Sequence, residues 1–230
     1  MCIILKMRDI ENTNARFKSV KLSKVYSNNF HKIKQNTLFI NKIKSIQKVE
    51  LNKINNDCFV GTLDSIEENT TKLLTKNGLK KSNILIVESN EKIGKLHEDN
   101  GIPCHIGDLE SFADDENDKV YSEKNNNWRK YLCIGWNFDT CGHVTTQGKQ
   151  ILAVVNKTCF ASGCVLAFTF CRSRKTKENH NKDYHDFQKK LTLLLKKKNM
   201  SLKKVTRYLY SGDGNGNRGA LMDWSMFIVG

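Results

Sequence analysis

The sequence predicts an α/β fold: a doubly wound, mostly parallel sheet with an antiparallel C-terminal strand, preceded by a basic N-terminal extension. Three observations predict it. Short apolar runs recur from residue 58 onward, separated by polar stretches with helical spacing. The runs are continuous rather than alternating, as parallel strands covered on both faces are. The last two strand-like segments, 204–210 and 223–229, flank the Gly-rich stretch 211–219, which reads as a wide hairpin turn.

The elements follow in order. Residues 1–55 have a Lys/Asn/Ile texture without Gly or Pro and form the basic extension, in which 37–40 (Thr-Leu-Phe-Ile) suits an extended segment. The main domain spans 56–230. Its first strand is 58–63, followed by a helix over 65–77 that Ser65 would cap, with Glu67 and Glu68 in its first turn and Gly78 at its end. Strand 83–87 carries Glu88 at its carboxyl end, and helix 90–100 stops at Gly101. Strand 104–106 leads to Gly107, Asp108 and an acidic loop with Asp114, Asp115, Glu116 and Asp118. The fourth strand covers 131–134 and gives way to the irregular segment 137–142. A helix at 146–156 precedes the most apolar run, 163–170, and a basic helix covers 181–199.

Composition narrows the function. The 230 residues are 39% hydrophobic and 27% charged, with a formal net charge of +14. That apolar share excludes a disordered chain, and no apolar run reaches the ~18 residues of a membrane span. The eight cysteines form no Cys-x-x-Cys pair, which argues against a structural zinc site. Without a secretory leader pattern, the expected place is intracellular: the cytoplasm or nucleus of a host cell, or a virion. The charge is uneven. Residues 1–56 hold 12 Lys/Arg against 3 Asp/Glu, 172–207 hold 13 against 3, and 57–171 hold 12 against 16. Two basic stretches around an acidic middle suit a polyanion such as nucleic acid. AT-rich coding also yields a Lys-, Asn- and Ile-rich chain without selection for binding.

The strand–helix alternation closed by a hairpin resembles the Rossmann-like layout of S-adenosylmethionine-dependent methyltransferases over about 56–230. The resemblance implies ligand contacts beyond the carboxyl ends of the strands. It implies Glu88 for the ribose hydroxyls, Asp108 for the adenine amino group, and Thr62, Leu63 and Asp64 for the methionine part. It also implies Asn137 and Asp139 as catalytic or acceptor-orienting groups. A carboxylate such as Glu88 can accept two hydroxyl hydrogen bonds at once. The departures are specific. The turn after the first strand has Gly61 before it and no glycine inside it, where close backbone approach to a cofactor favours glycine. Glu67 and Glu68 would repel a phosphate, though not a sulfonium cation. The strings 63–64 (Leu-Asp), 69–74 (Asn-Thr-Thr-Lys-Leu-Leu), 84–90 (Ile-Leu-Ile-Val-Glu-Ser-Asn), 138–142 (Phe-Asp-Thr-Cys-Gly) and 167–170 (Ala-Phe-Thr-Phe) look like those of uncharacterised methyltransferase-like proteins of large DNA viruses and protists.

Arg172, Arg174 and Lys175 leave a strand end together and are candidates for holding a phosphate backbone. Trp128, Trp136 and Phe138 could stack a base, but core packing is the simpler role. Cys141 beside His143 lacks the geometry of an activated thiol. His180 and His185 stand five apart rather than four, which suits a solvated helix start better than a metal pair. The readings that remain are a methyltransferase acting on nucleic acid, a cofactor-free relative that binds nucleic acid or associates with virions, and a metal-dependent nuclease hinted at by the acidic loop.

Overall fold

The computed structural model describes residues 30–64, 68–114, 128–140, 142–172, 175–211 and 221–230. Helix α1 (Phe30–Gln47) is followed by an alternation of β1 (Cys58–Thr62), α2 (Asn69–Lys76), β2 (Ile84–Glu88), α3 (Glu91–Asp99), β3 (Cys104–Ile106), α4 (Leu109–Asp114), β4 (Leu132–Asp139), α5 (Val144–Lys157), β5 (Phe160–Cys171) and α6 (Lys177–Lys197). Strands β6 (Leu202–Ser211) and β7 (Leu221–Val229) close the chain. The strands form one seven-stranded sheet in the order β3-β2-β1-β4-β5-β7-β6. Strands β1 to β5 pair in parallel, and β7 lies antiparallel between β5 and β6.

The inner strands β1, β2, β4 and β5 are largely apolar because both faces of the sheet are covered there, whereas the edge strand β6 carries Lys203, Lys204 and Arg207 and is mostly half-buried or exposed. On one face, Phe59, Leu85, Trp136 and Phe168 pack with residues of α4, α5 and α6. On the other, Val60, Ile84, Ile86, Ile134 and Val165 pack with residues of α1 and α2. Among the described residues, no helix is long and apolar enough to cross a membrane.

Three local expectations change. Residues 37–40 are helical, not extended, and belong to α1. Phe39, Ile40 and Ile43 are fully buried against the sheet. Two strand glycines let the helix lie close. A Cβ on Gly135 would stand 2.6 Å from Ile43, and one on Gly163 would stand 2.2 Å from Ile46. Packing of this kind overrides the extended preference of a Thr-Leu-Phe-Ile string. Strand β4 continues to Asp139 instead of ending at Ile134, because residues 135–137 pair with β1 on one side while 135–139 pair with β5 on the other. Helix α2 begins at Asn69, and the expected cap Ser65 lies outside the described residues. Asn90 does cap α3, accepting the N–H groups of Lys92 and Ile93 at 3.1 and 3.3 Å.

Candidate functional site

In an open sheet of this kind, the chain reverses its direction of travel between neighbouring strands, and ligands gather where the carboxyl ends diverge. Here that place is the β1/β4 boundary. Thr62 is in register with Asn137, and the Leu63 N–H donates to the Asn137 carbonyl at 3.3 Å. Thr62 is fully buried, and its hydroxyl has no partner among the described residues.

Asp64 is 6% exposed and turned onto α2. Its two oxygens accept the Thr70 N–H at 3.3 Å and the Thr71 N–H at 2.7 Å. The carboxylate therefore occupies the anion position at the start of the helix. Burial pushes its pKa up, against the hydrogen bonds from Thr71 and Thr70 and the nearby His97, which pull it down. Glu68, the residue before α2, has a left-handed backbone (φ 52°) and makes no cap of its own. Its Oε1 instead accepts from Asn100 at 3.0 Å and meets His97 Nδ1 at 3.1 Å.

Glu88 ends β2 and is half-buried. Its Oε1 accepts the Asn90 N–H at 2.6 Å and the Ser89 hydroxyl at 3.4 Å, and its Oε2 has no partner among the described residues. Asp108 is exposed just beyond β3. Its Oδ1 accepts the Ser111 N–H at 2.8 Å at the start of α4, and this bond holds the carboxyl below its ordinary pKa. Asp64, Glu88 and Asp108 thus leave three adjacent strand tips in different environments: a buried helix anchor, a half-buried acceptor and an exposed one.

Asn137 and Asp139 lie within β4, not in a segment after it. They alternate onto the face covered by α1. Asn137 is buried, and its amide donates to Asn36 Oδ1 at 3.3 Å and Thr70 Oγ1 at 3.5 Å. Asp139 is paired with Lys32. The i,i+4 pair Lys32 and Asn36 on α1 therefore meets the i,i+2 pair on β4. Tyr210 stands near both charges, with burial pushing its hydroxyl up to about 12. Neither Lys32 nor Tyr210 stands out in the sequence, because no motif marks a long-range contact.

Gly61 serves packing. A Cβ there would come within 2.3 Å of the fully buried Trp136 indole. Trp136 and Phe138 stack at 4.7 Å, and Trp128 stacks on Phe112 at 4.3 Å, so all three candidate base-stacking rings are core residues. Arg172 follows β5, half-buried, with its N–H donated to the Leu221 carbonyl at 2.7 Å. Lys175 is paired with Asp183 on α6. Arg174 and Cys141 lie outside the described residues.

The helix start expected to be solvated is so at His185 and Asp186, but His180 is buried. His180 Nε2 meets Asp223 Oδ2 at 2.7 Å, and Arg207 holds the same carboxylate through Nε at 2.9 Å and Nη2 at 2.6 Å. No cluster of His, Cys, Asp and Glu among the described residues could hold a metal ion.

The strand order and the antiparallel β7 are those of class I methyltransferases. No protein-family model matches the chain, and no curated protein matches it in sequence. Among solved structures, the chain is similar to a putative methylase from Haemophilus influenzae, at 7% identity and TM-score 0.45, over 83% of this chain and 98% of that one. It is similar to an O-methyltransferase from Bacillus cereus in complex with S-adenosylhomocysteine, at 10% and 0.46, over 84% and 80%. It is also similar to the fibrillarin pre-rRNA processing protein of Methanococcus jannaschii, at 10% and 0.45, over 76% and 70%. Similarity at this level carries nothing about substrate or cofactor.

Proposed function

We propose that this chain is an S-adenosylmethionine-dependent methyltransferase acting on nucleic acid. The observation that carries the reading is Glu88 at the β2 tip. One of its oxygens is held by the local backbone, through the Asn90 N–H, and the other has no partner among the described residues. That arrangement presents a pre-oriented acceptor to a ribose diol. The acceptor set fits the adenosyl end of the cofactor: Glu88 for the ribose hydroxyls, and exposed Asp108 for the adenine amino group. The buried Thr62 hydroxyl supplies a further polar contact toward the β1/β4 boundary. Asp64 and Glu68 make the start of α2 negative, which favours a sulfonium cation and disfavours a phosphate.

When bound, the cofactor would supply an electrophilic methyl group. The chain's part is positioning. Asn137 is locked beneath α1 by Asn36 and Thr70 and would act by holding β4 in place, while partly exposed Asp139, held by Lys32, is the polar group that would meet an acceptor. The basic stretches at 1–56 and 172–207 support a polyanionic acceptor. Kinship with the methyltransferase-like proteins of large DNA viruses and protists rests on the short strings quoted above.

A specific observation favours a second reading, a cofactor-free relative that binds nucleic acid. The glycine nearest the β1 tip accommodates Trp136, and Asp64 takes the helix N–H groups that a ligand carboxylate would use. Calorimetry with S-adenosylmethionine and S-adenosylhomocysteine separates the two. The methyltransferase reading expects saturable binding that Glu88→Ala weakens roughly ten-fold or more. Folded protein that takes up no heat at millimolar ligand leaves the second reading.

A further inference from the structure

The start of α1 and one face of β6 gather rings and cations beside Asp139. The His31 ring lies 5.1 Å from Tyr210 and 6.4 Å from Tyr208, centroid to centroid. Tyr208 lies 5.3 Å from the buried Trp224 indole, and the Lys34 ammonium stands 5.7 Å from the Tyr208 ring centre. Register explains the grouping. Tyr208 pairs with Trp224 and Tyr210 with Met222, so both tyrosines face the side of the sheet that α1 covers.

The bank has a buried floor, Tyr210 and Trp224, while His31 and Tyr208 are only half-buried. At its rim Phe30 is 71% exposed and Ile33 56%. Helix α1 contributes Lys32, Lys34, Lys42 and Lys44 and no acid, and β6 contributes Lys203 and Lys204 and no acid, its Arg207 being bound to Asp223 on the other face. The carboxylate that faces this corner, Asp139, is matched by Lys32. Half-open rings with a cation across them, in a field of one sign, suit a ligand with flat π faces and a negative backbone.

The geometry points to a docking platform for single-stranded nucleic acid: an unpaired base lies against Tyr208 and His31, and Lys34 meets the adjoining phosphate. A duplex keeps its bases stacked on one another and offers no free face to such a bank. The inference rests on the nucleic-acid half of the proposed function and not on its cofactor half. It also moves the contact away from Arg172 and Lys175 to the opposite side of the sheet tip.

The test is fluorescence anisotropy of a labelled oligouridylate of about 12 nucleotides on the full chain, at several salt concentrations, with circular dichroism to establish folding. Wild type is expected to bind, and an unlabelled duplex of equal length to compete poorly. Tyr208→Ala should weaken binding roughly five-fold or more, while Tyr208→Phe, which keeps the π face, should stay near wild type. Lys34→Ala should weaken binding and lower the salt slope by roughly 0.7, whereas Lys190→Ala on exposed α6 should not. Binding by wild type that Tyr208→Ala and Lys34→Ala leave unchanged would overturn the platform while sparing nucleic-acid binding. No binding by wild type at low salt would overturn both, and calorimetry with the cofactor would still report on the methyltransferase reading.

Discussion

At Gly61 a single hydrogen keeps two neighbouring strands apart by the right amount. Trp136 cannot retreat from an added methyl group, because Phe138 stacks on one side of it and Phe59 and Phe112 stand edge-on to it. Gly61→Ala should therefore destabilise the protein by about 1–3 kcal/mol through overpacking, read from urea unfolding midpoints. An unchanged midpoint would mean that the indole moves freely. The glycine is visible in the sequence, but its partner is not, since Trp136 lies on a strand distant in the chain. Asp64 teaches the same lesson. An acid after an apolar strand reads as a ligand contact, yet two N–H groups from α2 hold it. Replacing it with Ala removes that anchor and should cost about 1 kcal/mol in the same assay. Glu88 differs from Asp64 in that its hydrogen bonds among the described residues, from the Asn90 N–H and the Ser89 hydroxyl, use one oxygen only.

Helix α1 was the element least legible in advance. Its lysines and asparagines obscure a buried stripe that becomes clear only with Gly135 and Gly163 beneath it. Ile43 is fully buried there, so Ile43→Ala should cost about 2–4 kcal/mol by chemical denaturation. A value near zero would show that the helix is not part of the folding unit. Strand β2 and the 163–170 run of β5 were legible for the converse reason: covered on both faces, each is a nearly unbroken apolar run, whereas Gly135, Asn137 and Asp139 hid the second half of β4. Helix α6 hides a second device, in which His180 and Arg207 converge on fully buried Asp223, and Arg207 lies 3.8 Å over the Tyr184 ring. Burial alone would raise the Asp223 pKa, but hydrogen bonds from His180 and Arg207 outweigh it and the net shift is downward. The native state thus binds this proton more weakly than the unfolded chain does. The resulting stability is complete above the ordinary carboxylate value and is lost as pH falls from there through the depressed native value. Asp223→Asn should flatten the acid limb of the stability–pH curve. It should also cost about 3 kcal/mol near neutrality, by leaving Arg207 unmatched. An acid limb as steep as that of wild type would show that the network does not set it.

Across the whole molecule the uneven charge of the sequence acquires a direction. The acidity of the middle lies in 57–114, with 6 Lys/Arg against 11 Asp/Glu, the part that builds β1, β2 and β3 with α2, α3 and α4. Of the two basic stretches, remote in the chain, the described part of the first, α1, packs over β4 and β5, and α6 and β6 of the second lie on the same half of the sheet, with α6 on the opposite face. The sequence alone shows two basic blocks; that they share one half follows from the strand order, which puts β4 to β7 together. A polarised surface orients an approaching polyanion before contact, and each phosphate that it neutralises releases counterions. If about five phosphates are met along that half, the affinity for single-stranded nucleic acid should fall with a log–log salt slope near −3.5. A four-fold rise in salt would then weaken binding by roughly a hundred-fold. Titrations of the full chain from low to physiological ionic strength measure this directly. A slope close to zero would mean that the basic half meets no phosphates, and that its lysines reflect composition alone.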